Sequence, residues 1–94
     1  MIVNICGLPY MVVERNDDFD IDVHFGQIDF KKSIIKINNE LSETRKEEIL
    51  CHEITHGMLM HLGYDEYSQD EQFVTALGNA IYQTFKLKEV KDEQ

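Results

Sequence analysis

The spacing of apolar residues changes period once along the chain, dividing it into a strand half and a helix half. Ile2 to Arg15 carries apolar positions in short patches interrupted at Gly7-Leu8-Pro9, which predicts one or two short strands with a turn there. His24 to Asn38 is strand-like: Ile28, Phe30, Ile35 and Ile37 mark the alternation, and Lys31-Lys32-Ser33 supplies the polar turn of a hairpin. Between these segments, Asn16-Asp17-Asp18 begins an acidic loop that continues to Asp22. From Glu47 to Leu62 the spacing becomes helical. Ser42 or Thr44 can cap this helix, Thr44 with Glu47 as a T-x-x-E box, so a helix is expected over residues 43–62 with Gly63 as its left-handed terminator. Tyr64 to Tyr67 reads as a loop. Ser68-Gln69-Asp70-Glu71 is a second S-x-x-E start, followed by Val74, Leu77, Gly78, Ile81 and Phe85 as the inward stripe of another helix. The charged residues 88–94 are expected to fray. The expected fold is one α+β domain over residues 1–94: a small, mostly antiparallel sheet followed by two packed helices.

Charge narrows the set of partners. Nine Lys and Arg stand against 18 Asp and Glu in 94 residues, a net charge of -9, which repels polyphosphate and anionic lipid and argues against nucleic-acid and membrane partners. Met1 to Val13 has no basic segment ahead of an unbroken apolar run, so no secretory leader is expected, and no stretch is long and apolar enough to span a bilayer. Cys6 and Cys51 show no framework spacing. They are expected to be reduced thiols in a cytoplasmic protein.

The chemistry concentrates in the first helix. His52-Glu53-Ile54-Thr55-His56 is an H-E-x-x-H pentapeptide, and a four-residue step on a helix advances about 400°, so both imidazoles leave one face, one turn apart. Glu53 lies about 100° round from His52, beside the ion rather than among its ligands, where it can take a proton from metal-bound water. Leu50, Ile54 and Met58 fall between about 160° and 240°, giving the helix a core face opposite its chemical face. Arg45, Ile49, Leu59 and Met60 share the metal side, which is expected to line a cleft. Cys51 points away from it and is expected to be a small buried residue.

Catalytic zinc usually takes three protein ligands and keeps one position for water, so the pair needs a partner. His61 lies about 180° from His52 and fails on geometry. His24, alone in the sheet half, is expected to be solvated or locally bonded. The chain reverses at Gly63, which brings carboxylates of the following segment back toward the pair. Glu71, on the edge of the inward stripe, is the favoured ligand, with Asp65, Glu66 and Asp70 as alternatives and a capping role with Ser68 as the competing use of Glu71. Tyr64, Tyr67 and His24 are candidate donors to a tetrahedral oxyanion, with no basis for choosing among them.

Leu50-Cys51-His52-Glu53-Ile54-Thr55-His56-Gly57, then Glu71-Gln72-Phe73-Val74 and Asn79-Ala80-Ile81-Tyr82-Gln83, resemble a minimal zincin of the gluzincin type, and more narrowly the small phage and mobile-element metallopeptidases grouped with the ImmA/IrrE family. Gly26-Gln27-Ile28-Asp29 and Ile35-Lys36-Ile37-Asn38 fit the same plan, although only H-E-x-x-H is a specific motif. The resemblance implies Zn²⁺ on His52, His56 and Glu71, Glu53 as catalytic residue, and hydrolysis of a protein or peptide substrate, in some members a regulator. In zincins an extended substrate pairs with an edge strand, which would here be residues 33–38 or the neighbouring strand. A metzincin would need Gly and His where this chain has Leu59 and Leu62. His56-Gly57-Met58-Leu59 with Leu62-Gly63-Tyr64-Asp65 also resembles bacterial rRNA-maturation endoribonucleases, but Met60 and Glu66 stand where that motif has histidines, a poor replacement for two imidazoles. A different class of reading is a non-catalytic regulatory protein that keeps the zinc scaffold.

Overall fold

A computed structural model describes residues 1–15 and 25–92, with side chains described as far as Lys86. The expected acidic loop and His24 lie outside the described residues. The strands are β1 (Ile2–Ile5), β2 (Leu8–Arg15), β3 (Gly26–Asp29) and β4 (Ile34–Asn38); the helices are α1 (Glu43–His61), the short α2 (Asp65–Ser68) and α3 (Glu71–Asp92). The α+β expectation holds, and the change of period near residue 43 is the boundary between sheet and helices.

The sheet has the order β1-β2-β4-β3. Its two outer pairings are antiparallel, but the central pairing of β2 with β4 is parallel, so the sheet is mixed. The first turn is not at Gly7-Leu8-Pro9. Cys6 and Gly7 form it, with φ of 51° and 83°, a two-residue turn that matches strand twist, while Pro9 sits inside β2 opposite Asn4. The second turn falls where expected: Asp29 Oδ1 accepts the Lys31 and Lys32 amides, both at 3.0 Å. Ile5, Tyr10, Ile35 and Ile37 on one face of the sheet form the buried core, and Leu50, Ile54 and Met58 of α1 pack onto it as helical phase predicts.

Helix α1 is capped by Ser42, whose hydroxyl accepts the Arg45 amide at 3.2 Å, so the Thr44 alternative is not used. It ends as expected at Gly63, with φ of 88°: the Gly63 amide donates to Met60 O at 3.1 Å and the Tyr64 amide to Leu59 O at 2.8 Å, the paired bonds of a Schellman terminus. The chain then makes a helical turn, α2, where a loop was expected. Helix α3 packs on α1 and α2 and, among the described residues, not on the sheet, so α1 lies between sheet and α3. Val74 is fully buried and Leu77, Gly78 and Ile81 follow the predicted stripe, but Phe85 is exposed. The helix continues past Leu87 to Asp92. No described helix is long and apolar enough to cross a membrane.

Candidate metal centre

His52 and His56 emerge side by side from α1, their ring centroids 4.9 Å apart. Glu71 reaches them from the first turn of α3: its Oε2 lies 3.2 Å from His52 Nε2 and its Oε1 2.8 Å from His56 Nε2. One ligand atom from each of the three residues lies within 4.8 Å of the others, so two imidazoles and a carboxylate converge where one cation could draw them together. Neither Asp65, Glu66 nor Asp70 belongs to this cluster.

The capping alternative for Glu71 fails for a local reason. Ser68 is 3% exposed, and its hydroxyl donates to His56 O at 2.9 Å instead of capping α3. Asp70 takes over that task, its Oδ1 accepting the Phe73 amide at 3.1 Å. The same Ser68 carbonyl lies 2.5 Å from His56 Nδ1. With Nδ1–H donating there, the tautomer leaves Nε2 as the lone-pair nitrogen, turned toward Glu71. The short α2 turn thus supplies a brace for the second histidine.

Glu53 is 7% exposed, its side chain packed beside Gly26 of β3. Burial pushes its carboxyl up to about 7, and the negative charge of Glu71 pushes the same way. Burial also lowers the pKa of His52, and the neighbouring His56 adds to the effect against the opposing pull of Glu71, which favours the neutral, ligating form of the ring.

These groups line a cavity of about 670 Å³. Its far wall is β3, contributing Gly26, Gln27 and Ile28, and its end is marked by Phe25 and Arg45. Gly26 is required here: a Cβ at this position would stand 2.4 Å from Ile49 Cγ2 and 3.4 Å from Glu53 Cγ, so only glycine lets the strand lie this close to α1. Residues 33–38 cannot be the edge that receives an extended peptide, because β4 is internal; its neighbour β3 is the edge. The Asn38 amide donates to Phe25 O at 2.9 Å, which places Gly26 and Ile28 at positions whose N–H and C=O groups face away from β4, along the open edge.

Arg45 and Ile49 line the cleft as helical phase suggests, but Leu59 and Met60 do not. Neither tyrosine lines it: Tyr67 packs against Tyr64 and Phe73. Cys51, half-buried, donates its thiol to Gly78 O at 3.5 Å, and His61 pairs with the Tyr10 hydroxyl at 2.5 Å, so both have other uses. Sequence reasoning missed Thr75 and Asn79, which line the cavity. The signal was present, since positions 71, 75 and 79 repeat every four residues on one face of α3.

A family model, the IrrE N-terminal-like domain of a peptidase family, matches residues 9–80. The chain belongs to this family. No curated protein and no solved structure gives a match. The matched span of this IrrE-like domain contains the whole triad, Glu53 and the β3 edge, and the assignment makes it a metallopeptidase-type domain with a set of residues able to hold a metal ion.

Proposed function

We propose that this IrrE-like domain is a zinc-dependent peptidase that hydrolyses peptide bonds of a cytoplasmic protein, in which His52, His56 and Glu71 hold the metal and Glu53 is the catalytic residue. The carrying observation is the position of Glu53: a buried carboxyl opening onto the same cavity as a two-histidine, one-carboxylate cluster. Two imidazoles and one carboxylate are the donor set of hydrolytic zinc sites, and a cluster of three among the described residues suits a site that keeps a position for water. Bound Zn²⁺ would supply Lewis acidity toward water and the scissile carbonyl.

The chain's own groups would do the rest. Glu53 accepts the proton of the attacking water on a carboxylate oxygen and delivers it to the departing amine. Gly26 and Ile28 offer backbone hydrogen bonds to an extended substrate, which would add a strand at the edge of β3 beside the histidines. Ser68, through its carbonyl, keeps His56 in the ligating tautomer. Free Cys6 and Cys51 accord with a reducing compartment.

An internally quenched peptide library incubated with zinc-loaded protein tests this reading. Cleavage is expected for the natural sequence and loss of at least a hundredfold for Glu53→Gln at unchanged zinc content, on the order of a general base's contribution. Cleavage that survives Glu53→Gln would overturn the mechanism. One equivalent of zinc retained by His56→Ala would overturn the site.

A further inference from the structure

Arg45 is the one formal cation on the cavity wall among the described residues. Its guanidinium carbon lies 5.4 Å from the centroid of the Phe25 ring, a cation–π contact that holds it beside Phe25 on the wall of the cleft. Glu48 approaches it at 3.5 Å in a pair with 44% and 33% of the side chains exposed, a contact that ordinarily contributes little. Among the described residues, most of the five guanidinium N–H groups therefore have no partner and are available to a ligand.

The geometry of β3 gives this cation a position along a bound peptide. Gly26 abuts Ile49 and Glu53, while Ile28 Cδ1 approaches the Cβ site of Gly57 at 3.2 Å, so β3 and α1 run in the same direction. A peptide adding to β3 in the more stable antiparallel sense runs against α1 and carries its C-terminal half toward Arg45. Seven residues of helix separate Arg45 from His52, about 10 Å, which an extended chain covers in about three residues.

Resting on the peptidase reading, we infer that Arg45, oriented by Phe25, is a specificity-determining residue that selects substrates bearing a carboxylate about three residues beyond the scissile bond. The carboxylate can be an Asp or Glu side chain or the substrate's own C-terminus, since a guanidinium reads both by the same paired hydrogen bonds.

The test uses quenched peptides with Glu, Ala or Lys at each of the first four positions after the cleaved bond, together with short peptides ending there as free acid or amide. Zinc-loaded wild-type protein should favour Glu over Lys in kcat/KM by roughly five- to tenfold at one position near the third, the size of a partly shielded charge pair. Arg45→Ala should flatten the ratio and Arg45→Glu reverse it, each ratio being taken within one protein so that any change in overall rate cancels. If the free-acid peptides alone show the preference, the chain terminus is the ligand. A ratio near one in the wild type, or a preference unchanged in Arg45→Glu, overturns the assignment while leaving the peptidase reading intact. Absence of cleavage across the panel rejects the peptidase reading instead. The Arg45 contact is then decided by titrating the same peptides into Glu53→Gln and following the Arg45 Nε–H resonance, where a shift independent of the peptide carboxylate overturns it.

Discussion

Replacing Glu53 by Gln should stabilise the metal-free domain at alkaline pH, although it removes the residue assigned to catalysis. The carboxyl has an ordinary value of 4.5 and is pushed up to about 7 in the folded protein, first by burial and then by the charge of Glu71. Between those values the folded chain holds a proton that the unfolded chain has released, so raising the pH favours unfolding. The cost is absent below about pH 4.5 and complete above about pH 7. At ~1.4 kcal/mol for each tenfold change in proton affinity, the full cost is about 3 kcal/mol, and Gln escapes it because it never ionises. For a domain of this size that corresponds to roughly 12–24 °C in melting temperature. The assay is thermal unfolding followed by circular dichroism in EDTA at pH 8 and pH 5. Glu40→Gln, at an exposed position, serves as control for the lost unit of net charge. Glu53→Gln should melt well above the other two proteins at pH 8 and lose most of that advantage at pH 5. Equal melting at pH 8, an equal gain at both pH values, or the same gain in Glu40→Gln would refute the claim that desolvation of Glu53 strains the metal-free fold.

Other perturbations probe separate parts of the site. Glu71→Ala should weaken zinc binding in a competitive chelator titration by at least tenfold while α1 stays folded, and undiminished affinity would return Asp65, Glu66 or Asp70 to consideration. Gly26→Ala forces a methyl to within 2.4 Å of Ile49 Cγ2 and should destabilise the domain by about 1–3 kcal/mol in urea titration. Ser68→Ala removes the bond to His56 O and should reduce zinc affinity about tenfold, with Ser68→Thr recovering part of it if the hydroxyl acts through the brace. Gly63→Ala, at φ of 88° with open space around it, should cost only about 1 kcal/mol.

What could be read from the sequence was the local part. His52, Glu53 and His56 took their places because four-residue spacing on one helix is a property of the segment itself, and the same phase removed His61 and Cys51 from the site. Glu71 was legible with alternatives, since the reversal at Gly63 constrains the segment that follows. Ser68 was misread as a cap because its hydroxyl is claimed by His56 O, a contact across twelve positions that no local pattern encodes. The open edge was left between residues 33–38 and the neighbouring strand for a related reason: strand order depends on the parallel pairing of β2 with β4, and alternation within each strand says nothing about its neighbour. Pro9 suggested a turn that Cys6 and Gly7 make; β2 is an inner strand, but its pairing with β4 begins only at Met11, so at Pro9 the side away from β1 is unpaired and the missing N–H is tolerated.

The origin of Glu71 on α3, with both imidazoles on α1, also has a bearing on biosynthesis. The ribosome delivers the sheet segments and the histidine pair before it delivers the carboxylate, so a nascent chain presents two imidazoles of the triad while the third ligand is still to come. On the proposed metal reading, strong capture of an ion would coincide with the docking of the last helix rather than precede it. An ion held as proposed would then close a loop of nineteen positions between His52 and Glu71 and cross-link the last helix to α1.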